Sequence, residues 1–228
     1  MRILGIGAHW LFILCLPALL LTASIGGAIN NSWLYKYGFY KYSIHQTPEL
    51  AEFDLEEIAN GLISYFNSGD EYVNFTVVKD NKQFELFTPE EVIHFRDVKG
   101  LIWLDYWVLL GTLIYTLSYA GVSLFWPKRR YWRRLAWEVV GGSGITLALM
   151  LALGLGIRLN FDPLFTQFHF IFFTNEFWAT EGYMLLLFPP DFWYDAALFC
   201  VLGIIIMAVI LGGAAGGYLL FTKKSFPF

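Results

Sequence analysis

Apolar runs long enough to span a membrane occur four times along this chain, over 8–29, 101–126, 135–157 and 196–221. A hydrocarbon core of roughly 30 Å takes about 20 helical residues to cross, so each run predicts one transmembrane helix. Charge or proline bounds every run. The first exceeds the h-region of a signal peptide, roughly 7–15 residues, and no clean small-residue cleavage site follows it. It therefore reads as an uncleaved anchor. A lipid-attachment site at Cys15 fails as well, since Leu14 ahead of it is too large.

Between spans the pattern changes. In 30–100, Pro48-Glu49 is followed by Leu50, Phe53, Leu55, Ile58, Leu62, Ile63 and Phe66 with acids between them, which predicts an amphipathic helix. Asn67-Ser68-Gly69-Asp70 is a turn, and Tyr72–Val78 and Gln83–Phe87 read as two strands around the turn Lys79–Lys82. Thr88-Pro89-Glu90-Glu91 has the form of a helix start: Thr88 as N-cap, Pro89 at the first helical position, Glu91 closing a capping box. That helix runs on into the second span and carries Glu91, His94 and Asp97 with it. In 158–195, Asn160-Phe161-Asp162-Pro163 marks a turn or helix start before the aromatic stretch Leu164–Phe173. So many rings and so little charge suit the headgroup boundary, and Trp178, Tyr183, Trp193 and Tyr194 extend the belt. The predicted fold is an all-α polytopic membrane protein: four transmembrane helices, a small α/β extracytoplasmic subdomain over 30–100, and an extracytoplasmic interfacial helix and loop over 158–195. No internal repeat or linker divides residues 1–228, so they are taken as a single membrane domain.

Composition agrees: of 228 residues, 57% are hydrophobic and only 15% charged, against about 25% charged in soluble domains. Two cysteines exclude a disulfide scaffold, and the net charge of −4 disfavours a nucleic-acid binder. Partitioning the charge is more informative. Eight cations (Arg2; Lys128, Arg129, Arg130, Arg133, Arg134; Lys223, Lys224) fall on one side of the predicted spans, while segment 30–100 has net charge −6 and segment 158–195 net −4. The positive-inside rule then puts both termini in the cytoplasm and the two larger segments outside.

Few groups remain for chemistry. Of four histidines, His9 lies at the start of the first span and His45 before the amphipathic helix. His94 precedes the second span by seven residues, about 10 Å of helix, and His169 lies in the aromatic helix, so these two could meet at the outer surface. Glu91 and Asp97, at i−3 and i+3, share a helix face with His94 and could fix its tautomer. The spacing also fits a solvated surface histidine, and His169 also fits an interfacial ring bonded to a carbonyl. An ionisable residue in so apolar a segment is nonetheless a functional candidate. Elsewhere, Gly141-Gly142-Ser143-Gly144 lacks the last glycine of a nucleophile elbow and reads as helix packing. Gly212–Gly217 likewise offers small-residue pairs for close helix contact. Cys15 and Cys200 read as buried apolar residues, no zinc, Walker or dinucleotide motif occurs, and Asp105 and Glu138 are too few for a coupled transporter.

Two motifs carry a family resemblance. Leu86–Lys99, an acidic stretch, a histidine and then Asp-Val-Lys leading into the second span, resembles the first signature of the bacterial four-span lipoprotein intramolecular transacylase (Lit) family. Phe168–Trp178 followed by Leu187–Asp195, with its Phe-His, aromatics, Asn, Trp and Leu-Phe-Pro, resembles the second. Phe95 stands where many members have Met, and Pro190 where an acid is common. The resemblance implies transfer of the sn-2 acyl chain of a diacylglyceryl lipoprotein to the amine of its N-terminal cysteine, giving a lyso-form lipoprotein. It implies that His94 and His169 are catalytic and that Glu91, Asp97, Asn175 and Trp178 support them. Lipoprotein and membrane lipid would be the partners, the bacterial cell membrane the location, and no cofactor, metal or acyl carrier would be needed. A lipid-ester hydrolase or acyltransferase with another substrate, or a non-enzymatic membrane adaptor, are the alternatives; an adaptor has no need of the histidine pair.

Overall fold

The computed structural model of the chain describes residues 2–47, 50, 54–79, 82–125 and 129–224. Seven α-helices and one hairpin follow in order among them: α1 (Arg2–Ile29), α2 (Ser32–Lys41), α3 (Leu55–Asn67), β1 (Thr76–Lys79), β2 (Lys82–Glu85), α4 (Pro89–Phe125), α5 (Arg129–Phe172), α6 (Tyr183–Leu187) and α7 (Pro190–Lys224). Four of them, α1, α4, α5 and α7, are long and apolar enough to cross a membrane, as the four runs predict. Lipid offers backbone groups no partner, and a helix satisfies them internally. The chain divides into two compact units, one of residues 1–25, 105–155 and 199–228, the other of 26–104 and 156–198.

The first unit consists of the apolar lengths of the four long helices. Leu110, Leu117, Leu155, Leu202, Ile206 and Ile210 are exposed, as lipid-facing side chains would be, while Thr146, Ile204 and Ala208 are fully buried. Small residues let helices approach. A Cβ at Gly142 would press on Leu16 of α1, and one at Gly212 would meet Ser143, whereas Gly213, Gly216 and Gly217 face open space. Of the glycine run in α7, then, Gly212 makes the close contact. Polar groups tie the same helices. Ser24 Oγ donates to the Cys200 carbonyl (3.1 Å) and the Tyr115 hydroxyl to the Ala8 carbonyl (2.8 Å). Glu138, fully buried, gathers His9 Nδ1 (2.6 Å), Tyr119 Oη (2.8 Å) and Arg134 Nε (2.8 Å) on one carboxylate oxygen.

The second unit starts with α2, an element the apolar pattern does not single out; Asn31 caps it by accepting from the Trp33 N–H. Lys41 at its end pairs with Asp195, and the Tyr42 hydroxyl lies 2.7 Å from the same carboxylate. Burial, with Asp195 beside it, pushes the Tyr42 hydroxyl up to about 12. The amphipathic helix is α3. Within the described residues it begins at Leu55, where Asp54 accepts from the N–H groups of Glu56 and Glu57, and it buries Ile58, Ala59, Leu62, Tyr65 and Phe66. Pro48, Glu49 and Phe53 lie outside those residues. Thr76↔Glu85 and Val77↔Phe84 set the antiparallel register of the hairpin, whose turn residues Asp80 and Asn81 are likewise outside.

Both strands are shorter than predicted. Residues 72–75 and 86–87 lie outside the strands: Val73, Leu86 and Phe87 are buried, Phe75 meets Phe87 edge to face, and Phe87 packs on Phe95 at 4.7 Å. The predicted start of α4 holds in full, with Thr88 N–H donating to Glu91 Oε2 (2.9 Å) and Glu91 N–H to Thr88 Oγ1 (3.3 Å). The turn signal at Asn160 becomes a break inside α5 (φ −159°, ψ 62°), after which the aromatic stretch continues as helix. Helix α7 begins at Pro190, six residues ahead of the apolar run, with proline in its first turn and Asp191 where its dipole favours an acid.

Candidate active site

All six residues singled out from the sequence lie in the second unit. The capping box fixes where α4 begins, and so places Glu91, His94 and Asp97 along one face of its first turns. His169 is delivered by α5 beyond the Asn160 break. The two imidazoles are brought together: His94 and His169 are each 6% exposed, with ring centroids 6.0 Å apart and planes 28° from parallel. Aromatic rings surround them. Phe173 stands 4.9 Å from His94, while Phe165 and Trp178 stand 4.3 and 4.5 Å from His169. A solvated surface histidine is therefore not what α4 presents.

Hydrogen bonding distinguishes the two rings. His169 Nδ1 is 2.7 Å from the carbonyl oxygen of Phe165, one turn back on α5. A carbonyl only accepts, so Nδ1 carries the proton and Nε2 keeps its lone pair. The carbonyl partner expected of an interfacial histidine is present, and it also orients the ring. His94 Nδ1, by contrast, is buried with no hydrogen-bond partner, and Trp178 Nε1 is in the same state.

Among the described residues the hydrogen bonds of Glu91 and Asp97 go elsewhere than to His94, and both carboxylates fasten segment 175–184 to α4. Glu91, fully buried, spends Oε2 on the Thr88 N–H and Oε1 on the Met184 N–H (2.7 Å) at the start of α6. Asp97 accepts from Asn175 Nδ2 (3.0 Å) and Arg96 (3.3 Å), and Asn175 Oδ1 in turn accepts the Phe177 N–H (3.2 Å). Spacing along one helix cannot show this, because the carboxylates' partners lie 93 and 78 residues away.

Gly182, Phe173 and Lys99 belong to the same construction and were not singled out. A Cβ at position 182 would overlap the Glu91 carboxylate, so only glycine lets the segment close on it. Lys99 fastens the 68–70 turn to α4 through Ser68 Oγ (3.2 Å) and the Asp70 carbonyl (2.6 Å), over the Tyr65 ring. Lys99 has a signal in the Asp-Val-Lys of the first motif and Phe173 in the aromatic stretch, whereas Gly182 has none. Among the described residues no three His, Cys, Asp or Glu side chains group as a metal site.

Fold and site define a four-span integral membrane protein with a buried histidine pair in an aromatic nest, held by two carboxylate clamps. The chain belongs to the lipoprotein intramolecular transacylase Lit family, whose sequence model matches residues 10–193; it is a membrane transacylase. Its fold is similar to the in meso structure of the membrane integral lipoprotein intramolecular transacylase Lit from Bacillus cereus, with a TM-score of 0.78 and 21% identity over 99% of this chain and 100% of that one. Structures of two histidine-substituted variants of that protein are also similar. The arginine variant has a TM-score of 0.71 and 20% identity over 96% and 92% of the two chains. The alanine variant has 0.72 and 19%, over 99% and 100%. No curated protein sequence matches the chain.

Proposed function

We propose that the second unit moves the sn-2 acyl chain of a diacylglyceryl lipoprotein to the α-amine of its N-terminal cysteine, at the outer surface of the bacterial cell membrane, with both termini of the chain in the cytoplasm. The distribution of basic residues supports the orientation. The observation that carries the chemistry is the His169 Nδ1 bond to the Phe165 carbonyl, which leaves Nε2 as a proton acceptor inside an apolar nest.

Attack on an ester needs a neutral amine, and an α-amine has a pKa of about 8. As the amine nitrogen bonds to the carbonyl carbon, His169 Nε2 takes its proton. When the tetrahedral intermediate collapses, the same nitrogen returns that proton to the departing glycerol oxygen, so no proton is gained or lost overall. His94, with its unpaired Nδ1, is positioned to hydrogen-bond the developing charge. Because amine and ester belong to one lipopeptide, holding them in line supplies part of the barrier reduction. The surrounding phenylalanines keep out water, which would hydrolyse the ester.

The test is expression in a bacterium that makes diacylated lipoproteins, with N-terminal lipopeptides read by mass spectrometry. Transfer predicts an N-acylated lyso-form of the same mass as its precursor, with fragment ions showing one acyl chain on the amine. Loss of one acyl chain would show hydrolysis instead, and an unaltered precursor would favour the adaptor. His94→Gln and His169→Asn should each abolish the product without loss of expression.

A further inference from the structure

An indole N–H can only donate, and buried donors are almost always paired. Trp178 Nε1 is buried without an acceptor, although its ring lies 4.5 Å from His169 and edge-on to Phe165 and Phe170. The ring is not there by loose packing. Asp97 on α4 receives Asn175 Nδ2, Asn175 Oδ1 receives the Phe177 N–H, and Phe177 opens the 3-10 turn Phe177–Ala179 that carries Trp178. A chain of hydrogen bonds thus sets the turn and delivers an unsatisfied donor beside the base. What it lacks is an acceptor, and the acceptor that a transacylase substrate brings beside the attacked carbon is the ester carbonyl oxygen.

We infer that the Trp178 indole N–H binds that oxygen and stabilises it as an oxyanion, with Asp97 and Asn175 as positioning residues; this rests on the transacylase reading above. The balance is complete without any co-reactant. The amine lone pair forms the C–N bond, the C=O π pair moves onto the oxygen facing Trp178, and its return expels the glycerol oxygen, which leaves with the proton held by His169. The inference also gives Asp97 and Asn175 a purpose that the expected contact with His94 does not.

Trp178→Phe keeps an aromatic ring in the stack and removes the donor, at the cost of some ring area. Removing one oxyanion donor commonly costs about 100-fold in kcat, and that loss is expected here with KM for a diacylglyceryl lipopeptide nearly unchanged. Two non-reacting analogues separate this from a structural role: a lipopeptide with a tetrahedral phosphonate at the sn-2 position, and one with an sn-2 ether. The variant should bind the phosphonate more weakly by about the factor lost in kcat and bind the ether as the wild type does. Unchanged kcat, or equal weakening for both analogues, overturns the inference. Should the variant fail to fold, 15N-tryptophan spectra of the wild type decide. An indole N–H resonance that moves downfield with the phosphonate but not with the ether supports it, and none moving overturns it. Absence of transacylated product with the wild-type protein would instead bring down the reading beneath, a result distinct from any of these.

Discussion

His169 shows how much a single backbone contact decides. With Nδ1 engaged by the Phe165 carbonyl, the ring can act only through Nε2, so His169→Asn should leave no measurable transfer while folding is retained. His94 makes no such bond through Nδ1, and His94→Gln tests whether its ring is needed for chemistry or only for packing against Phe173. We expect no product, since loss of a positioned acid–base or donor group commonly costs about 100-fold or more, with the thermal transition in detergent unchanged. The substrate amine must be neutral, so the rate should climb with pH and level off near its pKa of about 8, measured with the purified protein. The histidine pair was legible in the sequence because ionisable residues are scarce in apolar helices and stand out there. Which nitrogen acts was not, since it depends on a carbonyl, which every residue has.

Among elements, the helix start at Thr88 was legible in full because a capping box is local: donor and acceptor are three residues apart. The clamp that Glu91 forms with Met184 is long-range and has no signature. It yields a sharp expectation at Gly182, where any Cβ displaces the Glu91 carboxylate. Gly182→Ala should cost about 1–3 kcal/mol, the penalty for leaving buried N–H groups unpaired, and lower activity, read as an earlier melting transition and a reduced rate. Glu91→Ala should do the same more severely, since it orphans both the Thr88 and Met184 N–H groups. Alternation predicted longer strands than exist because Val73, Leu86 and Phe87, all buried, obey the core around Phe95 rather than the two-residue period. Helix α2 escaped notice for a related reason: it buries Leu34, Tyr35, Gly38 and Phe39 while leaving Trp33 and Tyr40 exposed, so rings mark both faces and no polar stripe shows.

At the scale of the whole molecule, four apolar runs and an uneven distribution of charge define a membrane protein before any motif is considered. Within the first unit, Glu138 joins α1, α4 and α5 through one oxygen. Glu138→Ala should lower the melting transition by an amount equivalent to about 2–3 kcal/mol, below the 3–5 kcal/mol typical of a broken buried pair because Arg134 and His9 are partly exposed. The central claim is that acyl chain and amine belong to one molecule. A crossover experiment tests it most directly: the purified protein receives two diacylglyceryl lipopeptides together, one with an isotopically heavy sn-2 chain and an unlabelled peptide, the other with a light chain and a heavy peptide. Intramolecular transfer predicts that each peptide ends with its own chain on its own amine and no mixed masses appear. Mixed products, or free fatty acid in place of N-acylated lipopeptide, would contradict it.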